Sequence, residues 1–383
     1  MRCRPESAPH SWAWKGAETT FLRALTLIEQ GELDGSLETL ASRLGISDRY
    51  LRQLFQRHLG MPPKQYAQIQ QLMFAKQLLH TSQISITEVA YASGFQSTRR
   101  FNDAFQKLFR LTPTQVRRER AALPSRNHLS LAFRGPFDWA HMLDFYRLRA
   151  IEGMELIDEQ SYQRHFVLGE GTGWFKASMA QSHLDIEFEM ERLSDLRHLV
   201  ARLRRMFDLD ADLISIEAHL EQLAPGLVRR TGIRIPGVWN AWEAGVRAVL
   251  GQQVSVKAAI GQLNLLVSTL AASEGSTRYF PTPEQVQMSD LSFLRMPERR
   301  KETLKRLADY VRLHPMDSPM AWLSLSGIGP WTVDYAQLRG ESRSHCFLTG
   351  DLIVKKALAK FPQLTAESVA PWGSYATFHC WSH

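Results

Sequence analysis

The fold of this chain is decided by the stretch LSLSGIGPWTVDYAQLRGESRSHCFLTGDLIVKK, residues 323–356. Leu323 and Leu325 can end one helix, and Trp331 can begin a second one. The SGIG segment between them can form a tight hairpin, because its two glycines accept a positive φ. Exposed N–H groups at a helix N-terminus are a ready seat for a phosphate. The stretch therefore predicts a helix-hairpin-helix with phosphate contacts at Gly327, Ile328 and Gly329.

Asp351 follows this hairpin and stands directly before the apolar segment Leu352–Phe361. By itself, an aspartate in that place is usually an N-cap that accepts backbone N–H groups, and SGIG by itself is an ordinary helix-ending turn. Together and in this order, the two features resemble the helix-hairpin-helix superfamily of DNA glycosylases, in which such a hairpin is followed by a catalytic aspartate. The resemblance makes Asp351 the candidate catalytic residue.

Within that superfamily the chain resembles the 3-methyladenine DNA glycosylase II (AlkA) type. The resemblance rests on NAWEAGVRAVLGQQVSVKAA (240–259), YFPTPEQV (279–286), GIGPWTVDYAQLRG (327–340), FLTGDLIVKK (347–356) and PWGSYATFHCW (371–381). Upstream, residues 129–236 resemble the N-terminal domain of that family, with RMFDLDAD at 205–212 and IRIPG at 233–237. The resemblance implies that the chain flips an alkylated base, of the 3-methyladenine or 7-methylguanine type, out of double-stranded DNA. Hydrolysis of the N-glycosidic bond would then leave an abasic site.

The chemistry of such a site needs few groups. Breaking an N-glycosidic bond builds positive charge on the sugar, and a carboxylate stabilises that charge while it orients or deprotonates the attacking water. An alkylated purine is already cationic and leaves easily, so the site mainly has to hold it by stacking and cation–π attraction. The resemblance implies that Trp331, Tyr335 and Trp372 surround the flipped base. Core packing is the competing interpretation of these aromatic residues, and it is equally favoured for Trp372.

Trp331 also bears on the reaction subtype. Members of the superfamily that cut the strand as well place a lysine two residues after the second hairpin glycine, where it forms a Schiff base. An indole cannot form an imine. The chain is therefore predicted to be a monofunctional glycosylase.

Three further expectations come from the resemblance alone. Gln253 falls at the position that fills the gap left by the flipped nucleotide, with a polar amide in place of an apolar wedge. A monovalent cation, Na⁺ or K⁺, would bind the backbone carbonyls of Leu323, Leu325 and Ile328, and no other cofactor is expected. The chain departs from the family at Gly350, where a second acid can stand, and at Gly373, where arginine is usual.

The N-terminal third contains two copies of a helix-turn-helix pattern. In each copy an apolar helix ends at a glycine, and a serine caps the next helix. The paired units, with ITEVAYASGFQSTRRFNDAFQKLFRLTPTQVRR at 86–118, resemble the DNA-binding domain of the AraC family of transcription regulators over roughly Phe21 to Arg118. In such units the start of each second helix faces the major groove, and two units in one chain remove the usual need for a dimer, so a monomer is expected. The predicted contacts, to bases or to phosphates, are Arg49, Arg52, Ser97, Arg99 and Arg100.

Charge and composition fit this division. The formal net charge is +7, and residues 1–126 carry 18 Lys+Arg against 10 Asp+Glu, which leaves 28 against 29 for the rest. The basic third suits a DNA-binding module. A chain of 383 residues with 44% hydrophobic content is long enough for two or three domains.

The cysteines Cys3, Cys346 and Cys380 make no disulfide framework and cannot hold a four-cysteine iron–sulfur cluster. No signal peptide or bilayer-spanning apolar run is recognised, so a bacterial cytoplasmic, nucleoid-associated protein without membrane contact is expected. MRCRPESAP at 1–9 resembles the end of the zinc module of the Ada family, with an unrelated tail as the alternative. A tetrahedral site needs four ligands, so no zinc is expected.

Between these regions the sequence alternates between polar and apolar residues. Segments 129–133, 164–167, 174–179 and 184–188 are predicted strands, and 139–149 and 196–207 are predicted helices. The second helix should expose Arg197, Arg202, Arg204 and Arg205. The expected fold is mainly α with one α+β domain that contains a small antiparallel sheet. The expected domains are a zinc-module remnant (1–19), an AraC-type double helix-turn-helix (20–120), a linker (121–128), an AlkA-type α+β domain (129–238) and a helix-hairpin-helix domain (239–383).

Three interpretations of function remain open from the sequence. The first is a DNA repair enzyme whose helix-turn-helix module adds DNA affinity or regulation at promoter DNA. The second is a transcription regulator of the alkylation response whose glycosylase-like region is inactive, and the third is a DNA-binding protein without catalysis or a specific operator. Asp351, the hairpin and the aromatic residues favour the enzyme.

Overall fold

The computed structural model describes residues 12–29, 33, 36–118, 127–271, 273–275 and 277–383. Cys3, most of the predicted zinc-module remnant and most of the predicted linker lie outside these residues. The chain divides into two compact units. The first ends at Leu129 and also includes Arg192–Ala201, and the second comprises Ser130–Glu191 and Arg202–His383.

The described part of the first unit is mainly helical. Its helices are α1 (Trp12–Glu29), α2 (Leu37–Arg43), α3 (Asp48–Leu59), α4 (Pro63–Thr81), α5 (Ile86–Ala92), α6 (Thr98–Phe109) and α7 (Pro113–Arg118). The pairs α2–α3 and α5–α6 are the two predicted helix-turn-helix units.

Local sequence explains both units. The hydroxyl oxygen of Ser47 accepts the N–H of Tyr50 at the start of α3, and that of Ser97 accepts the N–H of Arg100 at the start of α6. Each serine thereby satisfies one N–H group that a helix start leaves free. Phe101 and Phe105 lie one turn apart on the buried face of α6.

The second unit begins with a five-stranded sheet in the order β1-β5-β4-β3-β2. The strands are β1 (His128–Ala132), β2 (Glu155–Ile157), β3 (Ser161–Leu168), β4 (Gly171–Met179) and β5 (His183–Met190). Strands β2 to β5 pair in antiparallel fashion, with Phe175 opposite Arg164 on one side and Phe188 on the other. The helices in this part of the sequence are α8 (Trp139–Arg147), α9 (Leu196–Met206) and α10 (Leu213–Leu223). The residues of α9 up to Ala201 belong to the first unit and the rest to the second. The fold class predicted from the sequence, mainly α with one small antiparallel sheet, is confirmed.

One part of the prediction is wrong: the arginines of α9 are not exposed. Arg197 is 7% exposed and donates to the carbonyl of Ile28 over 2.9 Å. Arg205 donates to the carbonyl of Trp239 over 2.6 Å, and Arg202 lies over the Trp239 ring at 4.7 Å. Long basic side chains can bury their stems when their head groups find acceptors.

The rest of the second unit is helical apart from a two-stranded ribbon. Its elements are α11 (Ala241–Gly251), α12 (Val256–Leu270), β6 (Ser273–Glu274), β7 (Thr277–Arg278), α13 (Pro283–Met288), α14 (Glu298–Leu313), the 3-10 helix Pro319–Ser324, α15 (Pro330–Glu341), α16 (Leu352–Leu358) and α17 (Gly373–Trp381). Helix α11 is buried along nearly its whole length. It packs closely on α15 because Gly340 has no side chain: a Cβ there would lie 2.5 Å from the Cα of Ala241.

A buried ion network joins the sheet to α11 within this unit. Arg164 of β3 lies 2.5 Å from Glu243 and 3.0 Å from Glu155, and Arg247 lies 2.8 Å and 3.2 Å from the same two carboxylates. These four side chains are at most 5% exposed. Two positive and two negative charges compensate each other where water is excluded.

No described helix combines the length and the apolar character needed to cross a membrane.

Candidate active site

A cavity of about 440 Å³ lies in the second unit, beside the start of α16. Its wall is formed by His141, Asp144, Phe145, Leu148, Arg149, Arg247, Leu250, Gly251, Val254, Val256, Ala259, Ile260, Leu263, Trp331, Tyr335, Asp351, Ile353, Phe378 and Trp381. Of the predicted site residues, the cavity brings together Asp351, Trp331 and Tyr335. Its size suits a flat heterocycle rather than a macromolecule.

Asp351 is both a helix cap and a wall residue. Its Oδ1 accepts the N–H groups of Ile353 over 2.8 Å and Val354 over 3.2 Å, as an N-cap does. The indole N–H of Trp381 donates to the same oxygen over 3.1 Å. Among the residues that the structure describes, none donates a hydrogen bond to Oδ2. The carboxylate is therefore held firmly by one oxygen and offers the other.

Trp331 and Tyr335 form an aromatic face of the cavity. They lie four residues apart on α15, so both rings project from the same side of the helix. The ring centroids are 5.3 Å apart and the planes differ by 26°, which is a stacked pair. A wall of this kind suits a planar, electron-poor ligand.

The hydroxyl of Tyr335 lies among arginines. Arg339 donates a hydrogen bond to the Tyr335 hydroxyl over 2.9 Å. The Nε of Arg339 donates to the carbonyl of Pro236. Burial acts to raise the pKa of Tyr335, but the charges of Arg339, Arg149 and Arg247 outweigh burial, and the net pKa is lowered. The phenol oxygen is thus an acceptor in a positive environment.

Arg149 and Arg247 form the adjoining part of the wall. Arg247 donates to the backbone carbonyl of Arg149 over 3.0 Å, which ties the buried ion network to this edge of the cavity. The Arg149 guanidinium lies 3.7 Å from the ring centre of Phe145, and burial lowers the pKa of Arg149 to about 10. The wall therefore contains aromatic rings and basic groups side by side.

Trp372, the third aromatic residue predicted for the base pocket, does not line this cavity. It stands at the start of α17, where its ring centroid lies 6.2 Å from that of Tyr375, and it is partly buried against the hydrophobic core. Trp381, at the other end of α17, occupies the wall instead. Trp372 therefore lies outside the group of predicted site residues that the cavity brings together, and its contact with the flipped base stays a prediction.

Trp381 and Phe145 are wall residues that the sequence analysis missed. Their rings are stacked, with centroids 6.2 Å apart and planes differing by 15°. They come from α17 and α8, far apart in the sequence, and no local periodicity connects them. The C-terminal position of Trp381 within the segment PWGSYATFHCW was the only available signal.

The hairpin has the predicted left-handed conformation at one of its two glycines. Gly327 has φ +93°, and a Cβ there would meet the hydroxyl of Thr303 at 2.1 Å. Gly329 has φ −111° and is the N-cap of α15, so the turn leads directly into a helix start. The element before the hairpin is a 3-10 helix, and the N–H of Ile328 donates to the carbonyl of Leu325, so it is not free for the predicted phosphate contact.

Gln253, on the loop between α11 and α12, is exposed and has φ +56°. Its neighbour Val254 lines the cavity, so Gln253 stands at the cavity rim.

The carbonyls expected to bind a monovalent cation fit one in donor type, since Na⁺ and K⁺ accept neutral carbonyl oxygens. The carbonyl of Leu325 accepts the N–H of Ile328 over 3.1 Å and has a second lone pair. The carbonyls of Ser326 and Gly327 accept side-chain donors. Leu323, Leu325 and Ile328 are the residues that would hold such an ion by the resemblance, and the second lone pair of the Leu325 carbonyl fits that role.

Gly373 has a packing reason to lack a side chain. A Cβ there would lie 2.6 Å from the carbonyl oxygen of His345, so an arginine would require the backbone to shift. At Gly350 a Cβ would meet only the Trp331 ring, at 3.7 Å, which is ordinary contact. Packing therefore explains why Gly373 lacks a side chain, but it does not explain the glycine at 350.

The predicted DNA contacts of the first unit lie on its surface. Arg49, Arg99 and Arg100 are exposed at the starts of α3 and α6. Arg52 is also exposed and lies 3.1 Å from Asp48, one turn before it. Ser97 caps α6, and its hydroxyl hydrogen is not needed for that bond.

A helix-hairpin-helix beside a cavity with one offered carboxylate and stacked aromatic rings defines a helix-hairpin-helix DNA glycosylase, here with an attached helix-turn-helix unit. Residues 128–240 match the family described as the AlkA N-terminal domain, and residues 40–119 match a helix-turn-helix domain. The chain belongs to the AlkA family of DNA glycosylases. It is 32% identical to the probable bifunctional transcriptional activator/DNA repair enzyme AlkA of Mycobacterium tuberculosis. The alignment of 414 residues covers 100% of this chain and 84% of that protein.

One further relative supports this assignment, and one solved structure shares the fold. DNA-3-methyladenine glycosylase 2 of Escherichia coli is 33% identical, over 66% of this chain and 96% of its own length. The solved structure of the 3-methyladenine DNA-glycosylase from Archaeoglobus fulgidus superimposes with a TM-score of 0.57 at 16% identity, over 66% of this chain and 97% of that one. The second similarity is one of fold.

Proposed function

We propose that the second unit removes alkylated bases from double-stranded DNA by hydrolysing the N-glycosidic bond. The observation that carries this proposal is Asp351, whose Oδ1 is held by three donors while the carboxylate lines a cavity with stacked rings. An alkylated purine is cationic and electron-poor, so it suits the face of Trp331 and Tyr335. The Escherichia coli relative, DNA-3-methyladenine glycosylase 2, supports 3-methyladenine as one such base.

Asp351 would act at the sugar. As the bond from C1′ to the base breaks, its electron pair leaves with the base and positive charge develops on the sugar. The carboxylate stabilises that charge and accepts a proton from the water that attacks C1′. The donors on Oδ1 keep the carboxylate in place without engaging the oxygen that must accept the proton.

The hairpin and the cavity rim would hold the DNA. The backbone N–H groups of Gly327 and Gly329 lie at a turn that leads into a helix start, which favours a phosphate. A monovalent cation, when bound at the hairpin carbonyls, supplies positive charge near that phosphate. Gln253 would fill the space that the flipped nucleotide leaves in the duplex.

The product would be an abasic site without a strand break. Strand cleavage by Schiff-base chemistry requires an amine next to the sugar. Trp331 stands at the corresponding position, and no lysine is among the described residues that line the cavity. These observations support a monofunctional enzyme.

The first unit would add affinity for DNA, including promoter DNA. The name of the Mycobacterium tuberculosis relative joins transcriptional activation and repair, and the exposed arginines of α3 and α6 support DNA contact. The alternative function is a regulator whose glycosylase domain is inactive. The offered oxygen of Asp351 favours the enzyme, because an inactive domain has no need of it.

The test compares base release from alkylated duplex DNA by the protein and by Asp351→Asn. The asparagine oxygen can still accept the donors that Oδ1 accepts, so the variant should fold and bind DNA. We expect release by the parent, at least about a hundredfold less by the variant, and strand breaks only after alkali. Equal release by both proteins would exclude the proposed role of Asp351. Breaks before alkali would exclude monofunctional chemistry, and no release by either protein would favour the regulator.

A further inference from the structure

The end of α11 is tied to the hairpin by one side chain. The amide nitrogen of Gln252 donates to the carbonyl of Gly327 over 3.1 Å and to the hydroxyl of Thr332 over 3.2 Å. A backbone carbonyl can only accept, so the atom that faces it must be the amide nitrogen. Both amide hydrogens are used, and they reach the turn of the hairpin and the first turn of α15 together.

The hairpin is held from its other side by α14. The carbonyl of Ser326 accepts from Arg306 over 3.4 Å, and the Thr303 hydroxyl lies 3.5 Å from it. Because a trans peptide is planar, the N–H of Gly327 points away from α14 when that carbonyl points toward it. The next peptide is oriented by Gln252 in the same way, and its N–H, on Ile328, donates to Leu325. The hairpin therefore presents the Gly327 N–H to solvent in a fixed direction.

Gln252 is also directly bonded to Gln253 in the chain. Gln253 has a left-handed backbone conformation, which orients its side chain differently from that of an extended residue. Val254 and Val256, which follow, line the cavity. The Gln252 side chain thus connects the hairpin turn at Gly327 to the loop at the cavity rim. That loop contains Gln253, the residue proposed to fill the gap in the duplex.

We propose that Gln252 is a positioning residue, which fixes the spacing between the hairpin that holds a DNA phosphate and the loop that carries Gln253. The proposal rests on the proposed function, since it assigns a distance between two of its DNA contacts. A phosphate and a flipped nucleotide are separated by a fixed length of backbone. A loop that drifts by about 1 Å relative to the hairpin would misplace the sugar at Asp351 and slow the chemical step.

If Gln252 had a purely structural role, its loss would lower folding stability as much as it lowers the rate of base release. Gly327 is exposed, so water can satisfy its carbonyl when the amide is removed. Thr332, the second partner of the amide, is 2% exposed, so its hydroxyl oxygen loses a donor that water does not replace. Loss of Gln252 should therefore lower folding stability by no more than the loss of the single bond to Thr332. The role in positioning is separable from stability for this reason.

The experiment uses the full chain with Gln252→Met, which keeps the length of the side chain and removes both donors. The matched control is Gln222→Met, at an exposed position of α10. Three quantities are measured: the single-turnover rate of base release at saturating enzyme, the Kd for undamaged duplex, and the thermal midpoint. A fourth is the fluorescence of 2-aminopurine next to a tetrahydrofuran abasic-site analogue in a bound duplex.

We expect Gln252→Met to lower the single-turnover rate about tenfold to a hundredfold and to leave the Kd for undamaged duplex unchanged. The thermal midpoint should fall by about 3 °C or less, and the 2-aminopurine signal on binding should be smaller than in the parent. Gln222→Met should match the parent in all four. A parental rate in Gln252→Met would overturn the proposal, as would a loss of rate matched by an equal loss of affinity for undamaged duplex. If the parent itself releases no base, the proposed function fails, and the fluorescence comparison still decides the role of Gln252.

Discussion

The indole N–H of Trp381 donates a hydrogen bond to Oδ1 of Asp351 over 3.1 Å. The same oxygen accepts two backbone N–H groups at the start of α16. Trp381 belongs to α17, so the carboxylate is held by two helices rather than by its own cap alone. The Trp381 ring also stacks on Phe145 of α8, so a third helix supports the carboxylate through the aromatic wall.

Trp381→Phe should slow base release, because it removes the indole donor to Asp351 and keeps an aromatic ring in the wall. Phenylalanine keeps an aromatic ring against Phe145 and Phe378 but removes the indole donor and part of the ring volume, and the Trp372→Phe variant accounts for the loss of volume. A hydrogen bond to a charged group contributes about 1.5–3 kcal/mol, so we expect the single-turnover rate to fall about tenfold or more. The rate is measured at saturating enzyme on alkylated duplex, and an unchanged rate would contradict a role for this bond.

Trp372→Phe is the matched variant at the other end of α17. Trp372 packs on Tyr375 and does not line the cavity, so we expect the rate of base release to stay at the parental value. Thermal denaturation of both variants separates loss of packing from loss of activity. A fall as large as that of Trp381→Phe would return Trp372 to the base pocket.

Gln253→Gly should affect activity and stability in different directions. A residue other than glycine in the left-handed region costs about 1–2 kcal/mol, and the extra freedom of glycine in the unfolded chain offsets about 0.5–1 kcal/mol. The free energy of unfolding should therefore stay the same or rise slightly. Base release should fall about tenfold or more, because nothing fills the gap and unstacking costs a few kcal/mol.

Gln253→Leu provides the comparison for the same position. It keeps a side chain of similar length and replaces the amide with an apolar group, so release should stay near the parental rate. Urea denaturation and single-turnover release are measured for both variants. Full activity in Gln253→Gly would show that this side chain does not fill the gap.

Glu243→Gln should destabilise the second unit in a pH-dependent way. Burial acts to raise the pKa of Glu243, but the charges of Arg164 and Arg247 outweigh it, and the pKa lies well below its ordinary value of 4.5. A lowered pKa in the folded state contributes stability that is fully present above pH 4.5 and is lost as the pH falls below it. Removing one partner of a buried pair costs about 3–5 kcal/mol, which we expect at pH 7.

The measurement is the urea unfolding transition of the second unit at pH 7 and at pH 3. The difference between the parent and Glu243→Gln should be smaller at pH 3. Glu302→Gln is the control, because its pair with Arg306 is 52% and 42% exposed and should contribute about 1 kcal/mol or less. The interpretation is wrong if Glu243→Gln costs no more than Glu302→Gln, or costs equally at both pH values.

The parts of the site that could be predicted are those encoded over short distances in the sequence. Trp331 and Tyr335 share a helix face because they are four residues apart, and Asp351 precedes an apolar helix that it caps. The turn at Gly327 follows from its lack of a Cβ. Each of these features depends on backbone geometry within a few residues.

The parts that could not be predicted depend on contacts between distant segments. Trp372 and Trp381 are both tryptophans of one short helix, and their sequence positions do not show which one faces Asp351. Arg205 has the spacing of an exposed residue on α9, yet the carbonyl of Trp239 accepts its hydrogen bond. Tertiary packing decides both cases, and one sequence contains no direct record of it.

Arg49, Arg99 and Arg100 should contribute to DNA affinity without contributing to catalysis. They are exposed at the starts of α3 and α6 in the first unit, whereas the cavity belongs to the second. Each arginine that contacts a phosphate releases counterions, so replacing it with alanine should reduce the slope of log K against log[salt] by about 0.9. Replacing an arginine that contacts a base should instead weaken binding to some DNA sequences and not to others.

The triple variant Arg49→Ala/Arg99→Ala/Arg100→Ala is therefore expected to bind undamaged duplex more weakly at low salt, with a salt slope reduced by up to about 3. Its single-turnover rate on alkylated duplex at saturating enzyme should equal that of the parent, because the residues around Asp351 are untouched. Arg57→Ala, near the end of α3 and away from the helix start, is the control and should leave the slope unchanged. A triple variant with the slope of Arg57→Ala would remove these arginines from the DNA interface. A triple variant that loses its rate at saturation would instead mean that the first unit takes part in the chemical step.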